Sequence, residues 1–166
     1  MTDTTDRLAL ALIAPGQAQK EMTHNEALAR LDIMVQPVVE AVAPLTVPAN
    51  PVLGECWIVG VGANGAWLGH DGALAAWTAG GWRFVAPFEG MAAWSIADAM
   101  IAIRRGTDWI IGQVNAQQIR INNLPVLTAR QAAITNPAAG TIIDSESRMT
   151  IDAILAALRT HGLIAS

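Results

Sequence analysis

The sequence predicts an α+β fold in which a small antiparallel, tryptophan-rich β module is flanked by an N-terminal helix and a C-terminal oligomerising helix. Three observations predict it. All six tryptophans fall between residues 57 and 109, in short runs of β-favouring residues punctuated by glycine. A helix-capping signal and apolar residues at helical spacing precede them. A second helical pattern, with a narrow apolar stripe, follows them.

Residues 1–37 form an N-terminal anchoring segment and helix. Thr23-His24-Asn25-Glu26 has the spacing of a reciprocal capping box, with Thr23 at the N-cap and Glu26 reaching back to it. Met22 and Ala27 flank the cap as a weak hydrophobic staple. Ala27, Leu28, Leu31, Met34 and Val35 recur at intervals of three and four, which predicts one apolar face ending before Pro37, since a residue preceding proline avoids helical geometry. Residues 38–53 carry Pro44, Pro48 and Pro51 among apolar side chains and read as a proline-rich extended linker that lies along a surface.

The β module spans 54–112. Strands are expected at 55–59, 74–78, 82–85, 91–96, 100–104 and 108–111. Ala79-Gly80-Gly81 and Arg105-Gly106-Thr107 predict hairpin turns. Along Trp82, Arg83 and Phe84 the rings share one face and the guanidinium takes the other, so Trp82 points inward. The run Gly60-Val61-Gly62-Ala63-Asn64-Gly65 is a turn rather than a phosphate cradle, because no long helical pattern follows it.

Residues 113–166 form a β extension and the C-terminal helix. Ile119 to Leu124 reads as a strand entering a turn at Asn122-Asn123, and Asn136-Pro137-Ala138-Ala139-Gly140 breaks the chain. Asp144 or Ser145 caps the final helix, Arg159 and His161 stand near its end as the helix dipole favours, and Gly162 stops it. Ile151, Ile154, Leu155 and Leu158 make its narrow stripe, flanked by alanines. Such a stripe suits a seam between copies of the helix, although it also suits docking on the β module. At about two and a half heptads a bundle would need neighbouring β parts to help hold subunits together.

Composition narrows the function. The chain is 52% hydrophobic and 14% charged, with a positive mean hydropathy. Part of its surface is therefore expected to face other subunits; abundant alanine, which raises the figure without making sticky patches, is the competing explanation. A net charge of −4, the single Lys20 and scattered arginines leave no basic stripe for nucleic acid. The lone Cys56, among apolar neighbours, reads as a packed thiol. The acidic start and the short apolar run 8–14 provide neither a signal peptide nor a membrane span. The protein is thus expected to be made in the cytoplasm, without membrane insertion, and to leave by lysis or inside an assembly.

Catalytic chemistry finds little support. His24, His70 and His161 stand apart, none at metal-ligand spacing, and Cys56 has no nearby histidine, so no catalytic residue, metal or cofactor is expected. Glu89 and Asp98 are the acidic pair inside the module that could flank a sugar. The tryptophans mostly fill a core short of other large side chains, each ring contributing about 1.5 to 3 kcal/mol. Trp67 and Trp77 flank the turn Gly69-His70-Asp71-Gly72 and are best placed for an exposed platform. Trp67, His70, Asp71 and Trp77 are therefore the candidate saccharide site.

Two stretches carry a family resemblance. Pro15-Gly16-Gln17-Ala18-Gln19-Lys20-Glu21, followed by Thr23-His24-Asn25-Glu26-Ala27-Leu28, resembles the N-terminal signature of a phage-associated domain-of-unknown-function family of alphaproteobacterial prophages, tail-fibre proteins and gene transfer agents. The resemblance continues through Gly54-Glu55, Gly65-Ala66-Trp67, Gly69-His70, Ala76-Trp77, Gly81-Trp82-Arg83-Phe84, Pro87, Gly90 and Trp109, covering about residues 8–110. Val126 to Ile134 with Ile151 to Ile164 is similar to the tail of short phage structural proteins. The resemblance implies a virion protein of tail fibre, head spike or baseplate, with no catalytic residues to carry over. Many members run on into receptor-binding regions, whereas this chain stops early.

The expected function is a structural component of a phage or gene-transfer-agent particle, engaged in assembly and host-surface attachment. The expected partners are two further copies in a homotrimer, seamed at Ile151, Ile154, Leu155 and Leu158, and other virion proteins. A module that recognises host surface polysaccharide is the alternative.

Overall fold

The computed structural model describes residues 4–16, 20–138 and 144–165. Residues 17–19 of the N-terminal signature and 139–140 of the expected chain break lie outside them. The chain divides into two units, Met1–Gln113 and Val114–Ser166.

The first unit begins with helix α1 (Lys20–Met34). Strands β1 (Val38–Val39), β2 (Cys56–Ile58), β3 (Leu74–Thr78), β4 (Gly81–Val85), β5 (Ala92–Ser95), β6 (Met100–Arg105) and β7 (Asp108–Ile111) follow, with a 3-10 turn at Gly65–Trp67. They form an antiparallel sheet β2-β3-β4 and a second sheet β1-β5-β6-β7, in which β1 joins β5 in parallel and the other pairs are antiparallel. Both glycine hairpins form, and Trp77 faces Trp82 across the first.

Alternation along β2 and β3 divides the interior into two cores. Cys56, Ile58, Leu74 and Ala76 enter an aliphatic core with Ile33 of α1, Val39, Met91, Ala93 and Ala102. Trp57, Val59 and Ala75, one residue out of phase, enter an aromatic core with Ala63 and Trp67, packed by Trp77, Trp82 and Phe84. Successive residues of a strand point to opposite faces, so a strand covered on both sides serves two cores at once.

The proline-rich stretch is not a linker. Val39 is fully buried, the backbone N–H groups of Glu40 and Ala43 donate to the carbonyls of Cys56 and Ile58, and those of Gly60 and Asn64 donate back to Pro44 and Leu45. Proline forbids helix here, but its carbonyl still accepts, and a sheet margin can use it. The glycine run is the expected turn. A Cβ on Gly60 would lie 2.5 Å from the Ala43 carbonyl oxygen and 2.8 Å from Leu45 Cδ2, so only glycine lets the two segments approach.

Helix α1 departs from expectation twice. It already includes Lys20, so Thr23 lies inside the helix and the capping box does not form; Glu26 instead reaches Arg83 at 3.1 Å and Arg30 at 3.4 Å. The predicted apolar face is turned outward. Ala27, Leu31, Met34 and Val35 are exposed and Leu28 is half-buried, whereas Asp32 and Ile33 are buried.

Polar bonds explain the rotation. Asp32, 4% exposed, accepts from Thr5 Oγ1 at 2.8 Å and the Leu8 N–H at 2.6 Å through Oδ1, and from the Arg7 N–H at 2.9 Å through Oδ2. The Arg7 guanidinium donates to the carbonyls of Asp32 and Ile33, which a helix end leaves without intrahelical partners, and to that of Gln36 just beyond the helix. About two turns earlier, the Asn25 side chain accepts from the Ile13 N–H at 2.9 Å and donates to the Ile13 carbonyl at 3.0 Å. These bonds fasten residues 5–13 as an arm along α1.

The second unit comprises a hairpin of β8 (Ile119–Ile121) and β9 (Leu124–Leu127) and helix α2 (Ser145–Thr160). Asn122 and Asn123 both have positive φ, 48° and 64°, as a two-residue turn matching strand twist requires and asparagine tolerates. Asp144 caps α2, accepting from the Ser147 N–H at 2.9 Å and from the Ser147 hydroxyl at 2.8 Å. These bonds hold its carboxyl below the ordinary carboxylate value. Past Gly162, whose φ is 71°, the chain returns to bond Gln131 through Leu163 and Ala165.

Two measurements check these bonds. Asp32→Ala should leave three donors without an acceptor and cost about 3 kcal/mol, read as a lower urea midpoint with earlier protease cleavage before residue 16. An unchanged midpoint would mean that the arm is not held there. Because the Asp144 carboxyl is depressed, its cap is fully present above the unfolded carboxylate pKa and lost as pH falls through the lower folded value. The Ser147 amide proton should titrate in that acid window, and Asp144→Asn should abolish the titration.

Candidate functional site

Arg83 projects from the face of β4 opposite Trp82, toward α1, as the alternation predicts. Its Nε donates to Glu26 Oε2 at 3.1 Å and its Nη1 to Thr78 Oγ1 at 2.7 Å. Glu26 and Arg83 belong to two separate blocks of the resemblance, and this ion pair is where those blocks meet. Beside it lies an open cleft of about 340 Å³ between the arm, α1 and the β3–β4 turn, with Asp6, Leu12, Met22, Asn25 and Glu26 among its walls. That is the low end for a small-molecule site.

The charged groups of this cleft are engaged in fastening the chain. Asp32 holds the arm, Asp6 Oδ2 accepts from the Ala79 N–H at 3.2 Å, and Glu26 is shared between Arg83 and Arg30. The Glu26–Arg30 pair, with side chains 44% and 64% exposed, contributes only about 0.3 to 0.5 kcal/mol. The cleft is a clasp that joins three segments distant in sequence.

The structure does not assemble the four-residue saccharide platform. Trp67 is wholly buried, its ring 6.0 Å from that of Trp57 and 5.3 Å from that of Trp82. The 3-10 turn that ends on it carries the ring inward, so it has no face for a sugar. Trp77 is half-buried, 5.1 Å from Trp82. His70 lies flat on Phe84, with centroids 3.5 Å apart and planes within 3°. Asp71 accepts from the Gly62 N–H at 3.1 Å and so braces the glycine turn. Glu89 and Asp98 are each committed to a local turn, Glu89 accepting from the Gly106 N–H at 2.7 Å and Asp98 from the Ser95 hydroxyl at 2.5 Å. Cys56 is buried, and burial pushes its thiol up to about 11.

The exposed tryptophan is Trp94, which the sequence reading passed over. It is 45% exposed in the middle of β5, paired with Val38 on one side and Ile101 on the other, themselves 39% and 50% exposed. These residues, with Gln36, Pro37 and Ala92, line a shallow groove of about 320 Å³. The signal was present in Ala92-Ala93-Trp94-Ser95: where the neighbours at odd register are small and buried, alternation sends the large ring outward.

In the second unit the α2 stripe is open. Leu155 is buried and Leu158 half-buried, while Ile151 and Ile154 are 43% and 54% exposed. Among the described residues, no helix is long and apolar enough to cross a membrane, and no three His, Cys, Asp or Glu side chains gather as a metal-holding group.

Comparison with known proteins matches residues 24–110 to the profile of a family described as protein of unknown function, DUF2793. That span runs from the first turns of α1 to the last residues of β7. A search of curated proteins finds no match.

Two outcomes check the roles assigned to buried groups. Trp67→Ala should cost about 3 to 5 kcal/mol in urea unfolding, whereas an exposed platform residue would leave the midpoint unchanged. Cys56 should resist a thiol reagent at pH 8 in the native protein and react at once in denaturant; rapid native labelling would contradict its burial.

Proposed function

Because the chain belongs to the DUF2793 family through more than half of its length, a membership that brings no activity with it, we propose that the protein is a non-enzymatic structural component of a phage or gene-transfer-agent particle. The observation that carries the reading is the apolar surface that the fold leaves open. In the first unit, Leu31 and Met34 of α1, Val35 just after it, and Val38, Trp94 and Ile101 of the β1-β5-β6 face are all exposed. In the second, Ile151 and Ile154 are. Water-facing monomers seldom keep such patches, and an aromatic ring set among aliphatic neighbours is a frequent anchor of protein interfaces.

The link to a particle rests on the resemblance of the N-terminal signature and of the C-terminal tail to phage structural proteins. On this reading the protein is made in the bacterial cytoplasm, forms a homotrimer seamed at Ile151, Ile154, Leu155 and Leu158, and docks on other virion proteins at a tail fibre, head spike or baseplate. Recognition of host polysaccharide, the other reading, retains Trp94 as an open ring. Its groove has an almost wholly apolar lining, which offers sugar hydroxyls few partners and suits a protein surface better.

Electron micrographs of particles made with and without the protein should differ by one feature on head or tail, and native mass measurement should give a trimer. Particles identical in both preparations would overturn the structural role, and a stable monomer would overturn the trimer.

A further inference from the structure

The loop between β2 and β3 carries two steps with the same latent chemistry. Asn64-Gly65 is the single Asn-Gly step of the sequence and Asp71-Gly72 the single Asp-Gly step. Glycine has no side chain to shield its backbone nitrogen, so in either step that nitrogen can close a ring on the preceding Cγ. The fold disarms one of them. Gly72 is buried, its N–H donates to the Val59 carbonyl at 2.9 Å, its carbonyl accepts from Trp109 Nε1 at 2.9 Å, and the Asp71 carboxylate accepts from the Gly62 N–H at 3.1 Å. The other is left open. Asn64 and Gly65 are both exposed, and, among the described residues, neither the Asn64 side chain nor the Gly65 N–H has a hydrogen-bond partner. Asn64 is extended, with φ −112° and ψ −176°, so ring closure needs a rotation about ψ. That rotation gives up the bond from the Trp67 N–H to the Asn64 carbonyl, 3.2 Å long, in a 3-10 turn, where hydrogen-bond geometry is poor.

We propose that Asn64 is a site of spontaneous deamidation, with water as the co-reactant, and that its conversion to isoaspartate loosens the aromatic core. The Gly65 nitrogen bonds to Asn64 Cγ as it gives up its proton, and the side-chain nitrogen leaves as ammonia carrying that proton. The product is a cyclic imide. Water then opens it on one side or the other of the ring nitrogen: breaking the bond to Cγ gives aspartate, and breaking the bond to the main-chain carbonyl carbon gives isoaspartate. An amide becomes a carboxylate with no change of oxidation state, and a chain of net charge −4 gains one more negative charge. In the isoaspartyl form the main chain runs through Cβ and Cγ and is one atom longer. That atom enters immediately before the turn Gly65–Trp67, which carries the wholly buried Trp67 against Trp57 and Trp82. A core packed at crystal-like density does not absorb such a shift without displacing the ring. The reaction is a property of the folded chain, independent of what it assembles with.

The test is ageing of the full chain at mildly alkaline pH, both native and in guanidinium chloride, followed by peptide mass mapping and a methyltransferase assay for isoaspartate. Asn64 should convert in the native protein. Relative to its rate in denaturant, Asp71 should be slowed about tenfold more than Asn64, because its ring closure breaks two good hydrogen bonds where that of Asn64 breaks one long one. The isoaspartyl form, separated by chromatography, should show a lower urea midpoint and faster amide exchange at 65–67 than the fresh protein. Freshly prepared Asn64→Asp carries the charge without the extra atom and should keep the original midpoint. Asn64→Gln, whose longer side chain closes a less favourable ring, should fold alike and stay unmodified at position 64. An Asn64 that converts only in denaturant would overturn the proposal, as would equal slowing of Asn64 and Asp71 by the fold. So would an isoaspartyl form with an unchanged midpoint, or an Asn64→Asp midpoint as low as that of the isoaspartyl form.

Discussion

The Asp32 carboxylate is the constraint on which the first unit depends. A buried carboxylate is tolerable only when its oxygens are fully occupied, and here the arm supplies a hydroxyl and two backbone N–H groups. Those bonds decide which side of α1 faces inward. With Asn25 and Asp32 turned toward the arm, Leu31, Met34 and Val35 are left facing outward, and the exposed apolar strip follows from the same rotation. Polar satisfaction on one side of the helix thus generates apolar exposure on the other.

The aromatic residues divide along similar lines. Trp57, Trp67, Trp77 and Trp82 contact one another at ring separations between 5.1 and 6.0 Å, mostly tilted or edge-on, the arrangements that ring quadrupoles favour. Trp109 is committed as well, its Nε1 donating to the Gly72 carbonyl at 2.9 Å. Trp94, between the buried Ala93 and Ser95, is the one exposed ring among the six tryptophans. A composition rich in tryptophan therefore describes a core with one outlying ring.

The strands were legible because their cues are local. Thr78-Ala79-Gly80-Gly81 and Arg105-Gly106-Thr107 announce their turns, and period-two alternation orients Trp82 and Arg83 correctly. The α1 face was not legible, because a periodicity of apolar residues takes no account of an aspartate that partners a segment more than twenty residues away. Proline content misled in the same manner at residues 38–53: it excludes helix but says nothing about Val39 pairing beside β5. The supposed platform failed because sequence proximity of Trp67, His70, Asp71 and Trp77 does not fix the direction of each side chain. Glu26–Arg83 could be read only as two isolated motif residues, since their meeting is a product of topology.

The shared sheet has a further consequence. Consecutive residues of β2, Cys56, Trp57 and Ile58, are all buried and belong alternately to the aliphatic and the aromatic core. Neither core can melt while the other keeps its shape, since loosening β2 or β3 withdraws side chains from both. The first unit therefore has the wiring of a single cooperative folding unit. Indole fluorescence, although four of the six rings belong to the aromatic half, reports on the melting of the aliphatic half with the same midpoint.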